Sequence, residues 1–387
     1  MKILVLSDPG SGVFYYRFKL FLRDWEVRKG VQWELFEIIK NDDLKLYKPD
    51  VVFFSQLVGE ANKLVALIHA ENVAVYYDLD DYPFVLNDFH IINGVELILG
   101  DNVFPFLLHA DLVSLSTMFL RDAVLDYFAN NLGASRDEVW KKLEERVFIR
   151  PNYVDISDFH PKIENKSGRV RIGYSAAIYH LVDLLVALDA LIELDKKYDI
   201  ELHLYGFDIK FYDWQRFIVN WLKKLGVDDV NSVSLQDVKN TYVYYLVQLL
   251  MKLKQLKYVY AHPWVPITEH FYKLSRLGFD IGIAPLRDTL FNKCKTALKF
   301  YEYAMAGIPT VASNIEPYKG ECNYLADNTF EDWYNRLEQL IVDKDFRYEI
   351  WKAQREWVLE NRVFNEKVSD EFFDRLAAAV ERRRNVK

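Results

Sequence analysis

At 387 residues the chain exceeds one ordinary core and suits two domains. Its composition, 51% apolar and 27% charged, is that of a globular protein, and a net charge of −8 excludes capture of nucleic acid by bulk charge, leaving only local patches. Two cysteines without metal-ligand spacing, Cys294 and Cys322, exclude a disulfide scaffold and fit a reducing cytoplasm. The 25 Tyr and 26 Phe supply rings that pack cores and also stack on bases and sugars.

The opening MKILVLSD reads as a buried strand over residues 2–7 rather than a leader, because turn and acidic residues follow its short apolar run at once. A Gly- and Pro-containing turn at 8–12 precedes a helix at 15–29, and apolar runs at 51–55, 73–77 and 112–116 have strand length. Helical patterns separate them, so the first domain, residues 1–155, is expected to be βα units around a parallel sheet. VFIRPNYVDISDFHP at 147–161 marks the boundary. Strands are expected again at 171–174, 201–205, 258–261, 281–285 and 310–313, with a helix at 181–196, which makes 165–360 a second domain. Residues 207–257 are expected to form a long helical insertion. The tail 361–387 is a helix ending in ERRRNVK, expected to pack back on the first domain. No run reaches the ~18 apolar residues of a membrane span. The expected fold class is α/β, two Rossmann-like doubly wound domains facing a central cleft.

Residues 281–313 are the most informative: IGIAPLRDTLFNKCKTALKFYEYAMAGIPTVAS. A buried strand runs into a polar loop at 287–295, a helix starts near Thr296, Gly307 suits its C-terminal cap and Pro309 prevents continuation. The loop and helix start lie at the carboxyl end of a parallel strand, where open α/β sheets bind ligands and where unpaired N–H groups favour phosphate. Lys293 and Lys295 add positive charge. Lys295, Lys299 and Glu302 stand at i, i+4 and i+7 and share one face, which offers ammonium groups to a diphosphate and a carboxylate to ribose hydroxyls. The same spacing is also that of an ordinary solvated Lys–Glu pair.

Pro285, Leu286, Phe291, Asn292, Lys295, Thr296, Lys299, Glu302, Tyr303, Gly307 and Pro309 together resemble the donor-binding region of retaining glycosyltransferases of the GT-B fold, the group-1 or family-4 class. IRPNYVDISDFHP is similar to that family's interdomain linker, with Tyr153 where a Gly is usual, and HADLVSLST to the strand closing its first domain. VRIGYSAAIYHLVDLL followed by IELHLYG resembles the start of the nucleotide domain, and SGVFYYRFKLFL with YYDLDDYPF a subset in phage and surface-polysaccharide enzymes.

The resemblance implies a UDP- or GDP-type sugar donor as substrate, no tightly bound cofactor, no metal, and transfer with retention. It implies catalytic roles for Lys295, Lys299, Glu302 and His180. Donor contacts would come from Gly12, Ser175, Gly206, Asn292, Lys293, Lys295, Thr296 and Glu302, with Glu302 at the ribose. Two departures stand out. The first glutamate of the family's E-x7-E pair falls on Cys294, and SAAIYH replaces the Arg and Lys usual after the first strand of the nucleotide domain, leaving His180 as its titratable group.

On the acceptor side, Tyr16, Arg17, Asp78, Asp80 and Asp81 are candidates. Arg17 reads equally as an anion anchor or a surface ion pair, and the DxDD as acceptor contact, braced loop or, less well, a metal motif. His109 reads as a satisfied, partly buried histidine. Residues 241–261, with three Lys and no acid, fit a helix packed on its own domain or on a partner, or an amphipathic helix on a membrane surface. The Arg382–Arg384 run reads as a solvated helix end. The expected acceptor is a glycan or lipid-linked saccharide, with modified bases in DNA as the rival and a weakened nucleotide-sugar binding protein as the second. The expected place is the cytoplasm or the inner membrane surface.

Overall fold

A computed structural model of the chain describes residues 1–36, 41–55, 61–83, 91–92, 95–96, 100–207 and 242–385. Six strands make the first sheet: β1 Lys2–Leu6, β2 Gln32–Phe36, β3 Val51–Ser55, β4 Ala74–Leu79, β5 Leu112–Leu115 and β6 Val147–Ile149. They are all parallel in the order β2-β1-β3-β4-β5-β6. The second sheet holds β7 Val170–Ser175, β8 Ile200–Tyr205, β9 Val259–His262, β10 Ile281–Ala284, β11 Thr310–Ser313 and β12 Leu325–Ala326. Its order is β9-β8-β7-β10-β11-β12, again parallel throughout. Helices cover both faces, so the central strands β3, β4, β5, β10 and β11 are buried along their whole length and read as continuous apolar runs.

Each order reverses direction once, between β1 and β3 in the first sheet and between β7 and β10 in the second. At such a switch point neighbouring crossover connections diverge and leave a crevice beyond the strand ends. The predicted two-domain α/β architecture is what the structure shows. β2 escaped the sequence reading because it is a half-exposed edge strand, QWELF, without an apolar run.

The helix expected at 15–29 begins instead as a π-helical turn, Phe14–Lys19, and turns α-helical at Leu20–Lys29. The wider winding brings five consecutive residues, Phe14 to Phe18, into the interior. Among them Arg17 is fully buried. Its Nε and Nη2 donate to the two oxygens of Asp78 at 2.8 and 2.7 Å, and its Nη1 donates to the Arg150 carbonyl and to Asn152 Oδ1. Arg150 also donates to Asp78. First helix, β4 and interdomain linker are thereby pinned at one point. Arg17 and Asp78 are a buried pair and neither surface ion pair nor acceptor contact, because both are 0% exposed.

The helix Glu366–Arg384 returns to the first domain, where Trp25 donates to the Ser369 carbonyl and Arg28 pairs with Asp370. Arg383 and Arg384 pair with Asp111 and Asp50, so the basic tail is an anchor rather than a solvated end. Within the expected insertion, residues 208–241 lie outside the described residues. The helix Tyr242–Leu253 sinks Leu246, Leu249, Leu250 and Leu253 into the second domain's core, which leaves that face unavailable to a membrane.

Removing one member of a buried charge pair strands the other. Arg17→Ala should therefore destabilise the first domain by about 3–5 kcal/mol in urea unfolding. Arg17 and Arg150, against the effect of burial, hold the Asp78 carboxyl at about 2. That is below its unfolded value of about 4, so the stabilisation is complete above that value and disappears as pH falls through the folded one. The stability gap between wild type and Asp78→Asn should accordingly narrow as pH falls from about 4 toward 2.

Candidate functional site

Between the carboxyl ends of the two sheets lies a cleft of about 490 Å³. The first domain contributes the loop after β1, Asp8 and Gly10 to Val13, with Tyr16 from the π-turn and Asp80 and Asp81 after β4. The second contributes Ser175 to Ala177 and His180 after β7, Gly206 after β8, and Trp264 and Val265 after β9. Both switch points thus open onto the same space. Gly206 is required there: its φ is +102° and a Cβ would meet the Ala176 carbonyl oxygen at 2.3 Å.

The helix Leu298–Met305 starts at the cleft wall and carries Lys299 and Glu302 on the facing side. Lys299 makes no hydrogen bond or ion pair among the described residues; its Nζ lies 4.8 Å from the centre of the Tyr174 ring. Burial lowers it to about 8; Asp183 pulls the other way, and the nearby Lys295 adds to the lowering. A lysine in this condition gains most from a bound anion.

Glu302 is 8% exposed and held from two sides. Tyr16 Oη donates to Oε1 at 2.6 Å from the first domain, and His270 Nε2 reaches Oε2 at 3.2 Å from the second. His270 Nδ1 in turn lies 3.0 Å from Tyr205 Oη. Since a carboxylate only accepts, Nε2 carries a proton and donates to Glu302. Burial would raise the Glu302 carboxyl, but His270, Tyr16 and Lys299 keep it below its ordinary value.

His180 passes its Nδ1 to Asp183 Oδ2 at 2.8 Å, and burial together with Lys295 takes it down to about 4, so the ring is neutral near pH 7. Asp183 Oδ1 also accepts from Asn292 Nδ2 and from Arg287. Lys295 pairs with Asp81 across the cleft at 2.9 Å, and Thr296 Oγ1 accepts from Asn152. Burial, with Asp81 and Asp78 nearby, lifts Asp80 to about 6 against the pull of Arg17.

No protein-family model matches the sequence, and no curated relative does. Solved structures do match. HepE from Anabaena in complex with UDP-glucose superposes with a TM-score of 0.58 at 12% identity, over 98% of this chain and 100% of that one. A glycosyltransferase from Rickettsia africae gives 0.57 at 13%, over 97% and 98%. TarM from S. aureus gives 0.54 at 13%, over 88% of this chain. The chain spans 57% of the length of TarM. The fold is GT-B.

Set in the GT-B cleft, the sequence candidates divide. Gly12, Tyr16, Asp80, Asp81, Ser175, His180, Gly206, Lys295, Thr296, Lys299 and Glu302 all line it. Asn292 does not: it is 3% exposed and braces Asp183 from behind. Lys293 pairs with Asp288 and lines a separate cavity of about 230 Å³ on the far side of Lys295 and Thr296. The DxDD breaks into three environments, Asp78 in the Arg17 pair, Asp80 open to the cleft and Asp81 on Lys295. Among the described residues no group of three or more His, Cys, Asp or Glu is arranged to hold a metal ion.

Sequence reasoning missed His270, Tyr205, Asp183 and Trp264. His270 and Trp264 sit in HPWVPITEH, directly after a strand of the nucleotide half, a position that itself points to the cleft. A titration of dimethylated lysines by NMR should show Lys299 with a midpoint near 8, moving upward when pyrophosphate is added, because the anion favours the charged form.

Proposed function

We propose that the chain transfers a sugar from a nucleotide diphosphate donor of the UDP type to an acceptor hydroxyl, with retention and without a metal. The observation that carries this reading is the pair on one helix face: Lys299, a cation without an ion-pair partner among the described residues, one turn from the oriented carboxylate Glu302. A lysine and a helix start suit a diphosphate, and a fixed carboxylate suits a ribose diol. Trp264, 55% exposed on the cleft, offers a ring to a base. Solved complexes agree: HepE was solved with UDP-glucose and TarM with UDP.

In this reading departure of the diphosphate is the difficult event, and fixed positive charge where its negative charge grows lowers the barrier. Lys299 supplies that charge directly. Lys295, paired with Asp81, supplies it while tying the domains together. Closure of the domains over the donor excludes water. Asp80, on the first domain and near its own midpoint around pH 6, is placed to accept a hydrogen bond from the acceptor hydroxyl. Retention rests on the family resemblance of residues 285–309. A cytoplasmic place accords with two free, buried cysteines.

Calorimetry with UDP, GDP and ADP tests the site. UDP should bind selectively, and Lys299→Ala and Glu302→Ala should each weaken it by about tenfold or more, the size of a hydrogen bond to a charged group. Binding of none of the three nucleotides would overturn the donor site.

A further inference from the structure

The hydrogen bond from Tyr16 to Glu302 crosses between the domains. Tyr16 belongs to the π-turn behind β1, Glu302 to the nucleotide half, and their oxygens are 2.6 Å apart with Tyr16 only 3% exposed. The carboxylate therefore receives one donor on each oxygen, Tyr16 on Oε1 and His270 on Oε2. Each oxygen retains a lone pair, and the two existing bonds fix the plane in which those lone pairs lie. A ribose diol needs just such a carboxylate, with two acceptor positions at a set orientation.

Taking Glu302 as the ribose contact, as in the reading above, we infer that Tyr16 is a positioning residue that makes ribose recognition depend on the first domain. It orients Glu302 only when the two domains stand as they do here. Ring packing keeps the hydroxyl on target: Tyr16 meets Tyr15 edge-on at 4.9 Å and Phe271 of the second domain at 6.4 Å. The π-turn matters for the same reason. It brings Tyr16 to the cleft while the next residue, Arg17, is locked on Asp78, so Tyr16 is carried beside a buried, multiply bonded residue of the first domain. Tyr205 and His270 support the other oxygen from within the second domain, which leaves Tyr16 as the member of this hydrogen-bonded chain that reports on domain placement.

The test compares UDP with 2′-deoxy-UDP by calorimetry. Wild type should prefer UDP. Tyr16→Phe keeps the ring and removes the hydroxyl; it should weaken UDP about two- to tenfold and 2′-deoxy-UDP, which keeps only the 3′-hydroxyl, by less, and so shrink the preference. Tyr16→Phe/Glu302→Ala should bind UDP no worse than Glu302→Ala alone, since the hydroxyl acts only through the carboxylate. Tyr16→Phe with wild-type preference, or losses that simply add in the double variant, would overturn the proposal. If wild type binds UDP without preference and Glu302→Ala changes nothing, the ribose role of Glu302 fails first and the proposal with it.

Discussion

The geometry of the cleft depends on one buried ion pair. Taking a guanidinium and a carboxylate out of water is costly, and their attraction offsets that cost only when the remaining donors and acceptors are satisfied. Here most of them are satisfied, with Arg150 Nη1 the buried exception in the network among the described residues. Asp78 accepts from Arg17 twice, from Arg150, from Tyr76 and from Ser114, while Arg17 also reaches the linker through the Arg150 carbonyl and Asn152. Such a network contributes more to fixing one arrangement than to net stability. Its neighbours in sequence inherit that arrangement: Tyr16, one residue before Arg17, faces the cleft, and so does Asp80, two residues after Asp78. Asn152 extends it into the second domain by donating to Thr296. The linker is thus bonded to both halves of the site that it joins.

A second consequence is electrostatic. Lys295 and Lys299 lie on the same wall yet have different partners, because Asp81 from the opposite domain claims Lys295 and no carboxylate ion-pairs with Lys299 among the described residues. The first lysine bridges the cleft, and the second faces it without an ion-pair partner among the described residues. Repulsion between them lowers Lys299 further, so the pairing that closes the cleft and the poising of the free cation are linked. Glu302 shows the same logic with opposite sign, its charge kept by His270 and Tyr16 although burial works against it.

The alternation of apolar runs with helical patterns made the two parallel sheets legible, since strands buried on both faces need continuous apolar sequence. The helix with Lys299 and Glu302 was legible too, from spacing and from its Gly307 and Pro309 terminus. What escaped did so for physical reasons. β2 alternates polar and apolar residues at a sheet edge and resembles a loop. The π-turn cannot be read from a 3.6-residue period, and with it went the fate of Arg17, whose burial follows from winding and from a partner 61 residues away. His270 acts through a partner 32 residues distant, and Asp183, besides its local pair with His180, braces Asn292 109 residues away, a contact no local pattern announces.

Cys294 illustrates how a departure from a motif can be structural before it is chemical. The resemblance places a donor-contacting glutamate at this position, yet the thiol is 0% exposed and packs in the core of the first domain, with Phe291 beside it. Burial pushes the thiol up to about 12, so it is neutral and behaves as a small apolar group. Thr117 of the first domain donates to the backbone carbonyl of Cys294, tying the same loop down. A glutamate there would bury a charge among apolar side chains at a cost of several kcal/mol, or would force the loop off the first domain. Here the loop serves as an interdomain contact, and a buried thiol occupies the position. Under the proposed transfer, the groups left to meet the donor sugar would be held from elsewhere: the neutral His180 on Asp183, Asp80, and the Lys295–Asp81 pair.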